Sequence, residues 1–399
     1  VARQQGRQRH AHDGLEWDVM ASLSPNDGSS MHSTRRFLLT IATLLLPLAA
    51  GTAAAQCGTE LRDLRGRVVT LEGPARKLSI DDGRYLIALS LLHPDPVSVL
   101  AAWPRDINRI GAETYALLKR KFPSIESLRQ VASSAGSFDL EAVLAAAPDV
   151  AVFSLGGGPS DAQVAQLQRA GIQVVFIDFF THPFENQAQS LRVLGRLTGR
   201  DAQAERFIAF RQQRIDVIAQ QVARLAPNAR PDVFLEAHAG ISSDCCNSPG
   251  KGNVGDYIEF VGGHNIGADV LKGASGKLNI EYVISRDPKI YIATGGPHLA
   301  KTGGLVLGQG YDAATARASL AAMAARQGIA QLTAVKTGNV HGLAHQLINS
   351  PIDIVAIEVL AKWIHPELFG SVDPQRTLDE INQQFLAVPY EGVHWIDLR

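Results

Sequence analysis

The most unusual chemical feature of the sequence is a pair of adjacent cysteines, Cys245 and Cys246, in the Gly/Pro-rich stretch Asp244-Cys-Cys-Asn-Ser-Pro-Gly-Lys-Gly252. Two thiols so placed can close a ring disulfide in an oxidising compartment, ligate a soft metal together with His238, or simply shape their loop. A disulfide lining a ligand cleft is the expectation. Histidine comes next. Of twelve, His10, His12 and His32 lie upstream of the expected mature chain, and His365 sits in a Trp-Ile-His-Pro corner that reads as structural. His238, His298 and His345 fall in loops that follow candidate strands, where an imidazole can meet haem iron or an incompletely wrapped metal, or hydrogen-bond to a ligand. Arg84 and Arg105 can pair with carboxylate or catecholate oxygens. Trp103 and Phe179 offer apolar faces, Gly157 lets a ligand approach the backbone, and Asn349 adds an amide. This is the chemistry of holding a small molecule: aromatic faces with a few polar groups.

Reaction chemistry has little support. No HExxH pair, G-x-S-x-G elbow, P-loop or post-strand G-x-G-x-x-G is present. No catalytic residue, resident cofactor or protein-held metal is therefore expected, and the chain reads as a non-enzyme. The alternatives are an exported enzyme or redox protein acting on a metal chelate, for which the vicinal cysteines are the one cue, and a zinc- or manganese-binding protein. The latter needs several His and carboxylate ligands converging on one ion, and the His-rich loop expected of many such proteins is absent.

The elements that must position these residues are those of a globular chain of 399 residues, 46% hydrophobic and 19% charged, enough for two lobes. A net charge of −1 with no block of like charge argues against nucleic acid or an anionic membrane as partner. Three cysteines make no disulfide framework. Residues 31–55 have the three parts of a cleaved export signal: Met-His-Ser-Thr-Arg-Arg, an apolar run, then Ala53-Ala54-Ala55. Arg35-Arg36 fits a twin-arginine signal as well as the general secretory one. The apolar run is short for a span of roughly 20 residues. Gln56 before Cys57 argues against a lipoprotein. Residues 1–30 read as an upstream mis-start or a disordered segment.

Beyond residue 55, apolar runs at 77–80, 97–101, 150–153, 174–177, 233–236 and 290–293 alternate with amphipathic stretches such as 140–147, 161–170 and 253–261. That alternation predicts parallel α/β sheets. Residues 201–225 read as one long helix, with Phe207, Phe210, Ile215, Ile218 and Val222 at helical spacing, Asp201 as N-cap and Pro227 ending it. With 185–197 it gives about forty helical residues, a stiff strut between two α/β regions. The expected organisation is an N-terminal lobe over 56–183, a helical spine over 184–227 and a C-terminal lobe over 228–399. An internal repeat supports related lobes: Glu141 and Glu281 each open an apolar helix, followed by Pro148 or Pro288, a strand, and a Gly-Gly-Pro turn. Ligands sit beyond the C-terminal ends of such strands.

These paired segments and the long helix, with Val261-Gly-Gly-His-Asn-Ile-Gly267, Leu332-Thr-Ala-Val-Lys-Thr-Gly-Asn-Val340, Ser350-Pro351 and the run Glu358 to Phe369, occur in the order found in a known family. The sequence resembles the periplasmic substrate-binding proteins of iron-siderophore, haem and cobalamin ABC importers over residues 60 to about 390. The resemblance implies two α/β lobes with mainly parallel sheets joined by a long spine helix. It also implies a monomer in the periplasm that holds its cargo between the lobes and hands it to a membrane permease. The cargo expected is a ferric siderophore, with haem or cobalamin in the same class. In relatives one acidic residue on each lobe docks on permease arginines, and the matching positions are Glu141 and Glu281. The Cys245-Cys246 pair is not part of the family pattern.

Overall fold

A computed structural model of the chain describes residues 59–134 and 136–399. The export signal expected over 31–55, and Cys57, lie outside the described residues. No helix among the described residues is long and apolar enough to cross a membrane.

Two five-stranded sheets organise the molecule. A short antiparallel hairpin, β1 (Thr59–Arg62) with β2 (Val68–Leu71), precedes the first sheet. That sheet is built from β3 (Leu78–Ile80), β4 (Leu100–Trp103), β5 (Arg129–Gln130), β6 (Val150–Ser154) and β7 (Gln173–Ile177), all parallel, in the order β5-β4-β3-β6-β7. The second sheet follows the long helix. It contains β8 (Asp232–Glu236), β10 (His264–Asn265), β12 (Ile290–Gly295), β13 (Val340–Ala344) and β14 (Trp395–Asp397), in the order β10-β8-β12-β13-β14. Only β14, at the edge, runs antiparallel. Between its strands, β9 (Asn247–Pro249) pairs with β11 (Ser275–Lys277) as a separate antiparallel ribbon. The mainly parallel α/β class is as the strand-helix alternation predicts, because strands buried on both faces read as continuous apolar runs.

The repeat is structural as well as textual. Helices Leu140–Ala146 and Ile280–Arg286 are capped by Asp139 and Asn279, and each ends on a residue with left-handed φ, Ala147 at 45° and Asp287 at 43°. Pro148 and Pro288 follow and feed β6 and β12, which occupy internal positions in their sheets.

Two expectations are corrected. The strand expected at 97–101 begins later, at Leu100. The Asp95 carboxylate accepts from the backbone N–H groups of Val97 (3.1 Å) and Ser98 (3.0 Å) and holds that stretch as a turn. The helix expected over 201–225 is Asp201–Val222, three residues shorter, and the helical stretch expected over 185–197 is Pro183–Thr198, the two parted at Gly199. Gly199 has φ 66°, and a side chain there would press Pro74. The two helices then pack so closely that a Cβ on Gly195 would lie 2.8 Å from that of Ala204. Asp201 is the first helical residue rather than the cap; its carboxylate pairs with Arg196 at 2.7 Å. The spine proper is thus the second helix, 22 residues and about 33 Å long.

Phe207, Ile215 and Ile218 face inward from the spine as their spacing predicts, but Arg211 lies on the same buried stripe. Its guanidinium makes two hydrogen bonds to Asp353, 2.9 and 2.8 Å, and the Tyr257 hydroxyl donates to the same carboxylate at 2.7 Å. Gln187, on the preceding helix, donates to the Pro351 carbonyl at 2.8 Å. These bonds tie both helices to the 349–353 segment of the second sheet's half. Removing one partner of a buried pair strands the other charge, which typically costs about 3–5 kcal/mol. Asp353→Ala is expected to lower the unfolding free energy by about that much in urea titration followed by circular dichroism, whereas Arg206→Ala on the exposed side of the spine should cost under about 0.5 kcal/mol.

Candidate functional site

Three neighbouring parallel strands, β8, β12 and β13, end at one edge of the second sheet, and each delivers a histidine there. His238 follows β8 by two residues, His298 follows β12 by three, and His345 directly follows β13. Strand order brings together residues that lie 60 and 47 positions apart in the chain. His238 Nδ1 lies 2.9 Å from His298 Nε2, and the His238 and His345 rings are 3.7 Å apart at their centroids. His238 itself has φ 53°, a left-handed conformation uncommon for a residue with a Cβ. Such outliers concentrate at binding sites where surrounding contacts over-determine them. Here the His238 N–H donates to Thr294 Oγ1 at 3.0 Å.

The third imidazole is fully engaged. His345 Nδ1 contacts Thr294 Oγ1 at 3.0 Å, and its Nε2 meets the Asn349 amide nitrogen at 2.9 Å. Asn349 Oδ1 accepts from Asn253 Nδ2 at 2.9 Å. Asn253 reaches the first sheet's half: its side chain donates to the Phe180 carbonyl and its backbone N–H to that of Thr181 at 3.2 Å. A continuous line of polar contacts therefore runs from the first half of the molecule to the histidines. All three imidazoles are held neutral. Burial, with His298 adding to it, depresses His238 to about 4. Burial also lowers His298, and burial with both other imidazoles takes His345 well below its ordinary value.

The opposite wall is cationic. Arg84 makes 2.9 and 2.8 Å hydrogen bonds to Asp82 and lies 3.4 Å over the Phe180 ring. Arg109 pairs with the same Asp82, donates to Ser134 at 2.9 Å and lies 3.4 Å from Asp106. Burial alone would raise Asp82, but the hydrogen bond and charge of Arg84, with the charge of Arg109, outweigh it and hold the carboxyl below its ordinary range. One buried carboxylate thus orients two guanidiniums. The cavity between Arg84 and Arg109 on one side and the three histidines on the other measures about 250 Å³. A second, of about 450 Å³, shares His238, His345 and Asn349 with it and extends past Asn247 and Pro249. Across from them, Thr114 donates to Gln309 at 2.7 Å, a contact between the two halves.

The expected site residues fall into two groups. Arg84, His238, His298 and Asn349 line the first cavity. The others lie elsewhere. Trp103 is fully buried against Tyr115, and Phe179 is fully buried behind Phe180, whose ring is the one under Arg84. Arg105 turns outward and donates to the carbonyls of Glu126 and Leu128, both at 2.7 Å. Gly157 closes the turn after β6, its N–H bonded to the Ser154 carbonyl. Cys245 and Cys246 are disulfide-bonded, with Cys246 buried. Cys245 lines a different hollow of about 650 Å³ with Lys277, Asn279 and Arg326 rather than the histidine cavity. Sequence reading placed His345 and Phe180 in cleft loops without selecting them, and missed Arg109 and Asn253. In that loop Phe179 was chosen, but it is Phe180 that lies under the Arg84 guanidinium while Phe179 is buried. Glu141 and Glu281 are exposed in the first turns of their helices.

Asp81, just before Asp82, is buried, and burial pushes its carboxyl up to about 7; the Asp82 charge adds to this while hydrogen bonds from Ser154 oppose it. A raised folded-state value means the folded protein binds the extra proton between the unfolded value of 3.8 and about 7. That stabilisation is complete below the window and is lost as pH rises through it. Asp81→Asn is expected to remove the dependence: relative to wild type, the variant should gain about 2–3 kcal/mol between pH 5 and pH 8, measured by urea unfolding at each pH.

Comparison with known proteins gives this geometry a context. The model of the periplasmic binding protein family matches residues 90–347. The cobalamin-binding protein of Halobacterium salinarum is 30% identical over 214 residues, 53% of this chain and 52% of that protein. The chain thus spans about half the length of that relative. The vitamin B12-binding protein of Salmonella typhimurium is 27% identical over 225 residues, 53% of this chain and 79% of its own. Among solved structures, the TroA-like periplasmic binding protein FepB of Veillonella parvula superposes with a TM-score of 0.77 at 26% identity, covering 85% of this chain and 99% of that one.

Proposed function

Because this chain belongs to the periplasmic binding protein family, we propose that it is the solute-capturing component of an ABC importer for metal chelates. The observation that carries this reading is the cavity itself, with neutral imidazoles facing two oriented guanidiniums across the ends of two parallel sheets. Neutral imidazole is a metal ligand, and guanidinium pairs with the carboxylate, hydroxamate or catecholate oxygens that chelators carry. The cargo favoured is a ferric siderophore. A haem or corrinoid belongs to the same class, and cobalamin and vitamin B12 are the ligands named for two relatives. Capture takes place in the exported compartment, and affinity comes from burial and preorganisation rather than from a reaction.

Delivery to the permease is assigned to Glu141 and Glu281. The helices that carry them precede internal strands of the two sheets, so right-handed crossovers bring both helix starts to the end of the sheets that bears the cavity. Two exposed carboxylates, one on each half, make a two-point contact for basic residues of the partner.

Two measurements test this. Protein purified from the native periplasm should carry a chelate identifiable by visible absorption and mass spectrometry; preparations with no metal chelate, and no binding of any offered, would remove the reading. The double variant Glu141→Ala/Glu281→Ala should abolish uptake in cells and leave chelate affinity within about twofold, because both are exposed and neither lines the cavity. Normal uptake by that variant would refute the docking assignment.

A further inference from the structure

We propose that the Cys245–Cys246 disulfide is a thiol-exchange site for a protein dithiol, and that opening it loosens the start of the helix that carries Glu281. The exchange site stands on the disulfide and its hollow alone. The effect on delivery rests on Glu281 docking the permease.

A disulfide that serves global stability does so mainly by restricting the unfolded chain, and the restriction grows with the length of loop closed. Cys245 and Cys246 are one position apart, so almost no chain is closed between them. Stability of the whole fold gives little reason for the bond, and its reach is local. The two sulfurs are also unequal. Cys246 is fully buried, while Cys245 is partly exposed and lines the hollow of about 650 Å³. An incoming thiol therefore meets Cys245. The cations in the hollow, Lys277 and Arg326, each already hold a carboxylate, Asp244 at 3.1 Å and Glu236. Access rather than charge selects the sulfur attacked. The attacking thiol must then bring its own activation, as the lowered thiol of a Cys-x-x-Cys protein does.

Cys246 anchors the approach to the Glu281 helix. The ribbon of β9 and β11 pairs Asn247 with Lys277. One residue on, the Leu278 N–H donates to the Cys246 carbonyl at 3.0 Å. Asn279 follows and caps the helix Ile280–Arg286, its Oδ1 accepting from the Glu281 N–H at 2.8 Å. The closed disulfide restricts the backbone of residues 245 and 246 and so holds that carbonyl in place. Opening it returns conformational freedom to both residues, and the Leu278 bond and the Asn279 cap are the next contacts to feel it. The histidine side is held separately. The Ala237 N–H donates to the Asn247 carbonyl at 2.7 Å, and the Ser248 hydroxyl to that of Leu235 at 2.9 Å.

The exchange balances in two steps. A thiolate of the partner attacks Cys245 Sγ; a partner–Cys245 disulfide forms, the Cys245–Cys246 bond breaks, and Cys246 leaves as a thiolate that takes up a proton. The partner's second thiol then attacks its own sulfur in the mixed disulfide and releases Cys245 as a thiol. The pair gains two electrons and two protons, and the partner is oxidised to its disulfide.

Cys57→Ser leaves the pair as the only cysteines. That protein, folded and without denaturant, is treated with reduced thioredoxin. Two thiols per chain are expected, counted by mass after alkylation. Thioredoxin whose resolving cysteine is replaced by serine should be trapped on Cys245, located by peptide mass spectrometry. In the reduced protein, hydrogen exchange at Leu278 and Glu281 should be at least about tenfold faster, as for a local opening, with β8 and β12 unchanged. Chelate affinity should stay within about twofold, and Cys245→Ser/Cys246→Ser should lower uptake in cells at least about threefold. A disulfide that resists thioredoxin in the folded protein, or trapping on Cys246, overturns the exchange site. Unchanged exchange at Leu278 on reduction, or full uptake by the serine variant, overturns the link to delivery. Normal uptake by Glu141→Ala/Glu281→Ala, with the pair still opened by thioredoxin, overturns docking and that link together and leaves the exchange site standing.

Discussion

The buried ion pair between Arg211 and Asp353 is the constraint on which the site rests. Spine and second half meet there, and the carboxylate has no exposed surface. Such a pair contributes little net stability when measured against an apolar replacement, but it fixes geometry because its partners have nowhere else to satisfy their charge. Asp353 closes the segment that starts at Asn349, and the Gln187 bond to Pro351 holds the middle of that segment. Asn349 in turn sets the orientation of His345, which backs His238. The cavity's histidine wall is thereby referenced to the same helix that joins the two halves.

The two walls are kept electrically distinct by opposite uses of burial. On the histidine side, burial disfavours the charged form and no carboxylate is near enough to restore it, so the imidazoles stay uncharged. On the arginine side, burial of Asp82 is outweighed by two guanidiniums, which keeps the carboxylate ionised and holds both arginines against it. Neighbouring Asp81 has only Ser154 and Tyr85 around it in place of cations, and there burial wins. Adjacent aspartates thus serve different ends, one orienting arginines and one titrating with the surroundings.

The two halves share more than a sheet pattern. In each, a capped short helix, a residue at positive φ and a proline lead into an internal parallel strand. A proline after a helix cannot continue it and starts an extended segment instead. The same local chemistry, written twice, gives each half an exposed glutamate at the helix start and a loop at the strand's far end. The halves differ in what the loops after their strands carry: Arg84, Arg109 and Phe180 follow β3, β4 and β7 in the first, and His238, His298 and His345 follow β8, β12 and β13 in the second.

Much of this was legible in the sequence, because it follows from patterns a few residues long. Apolar runs of four or five residues between helical repeats gave the parallel strands, the Phe207 to Val222 stripe gave the spine, and the doubled Glu-to-Pro segment gave the two halves. What lies on which side of an element was settled only by the elements packed against it. Trp103 and Phe179 are as apolar as a ligand contact needs to be, but neighbouring helices take their faces, and Phe180 is left for Arg84. Arg211 interrupts an apolar stripe, a visible signal whose meaning depended on Asp353, 142 residues away. The histidines were each identifiable as loop residues, but their convergence came from the order β8-β12-β13, set by long-range pairing. Local sequence determines conformation through sterics and period; proximity between distant side chains comes from burial, which belongs to the assembled fold alone.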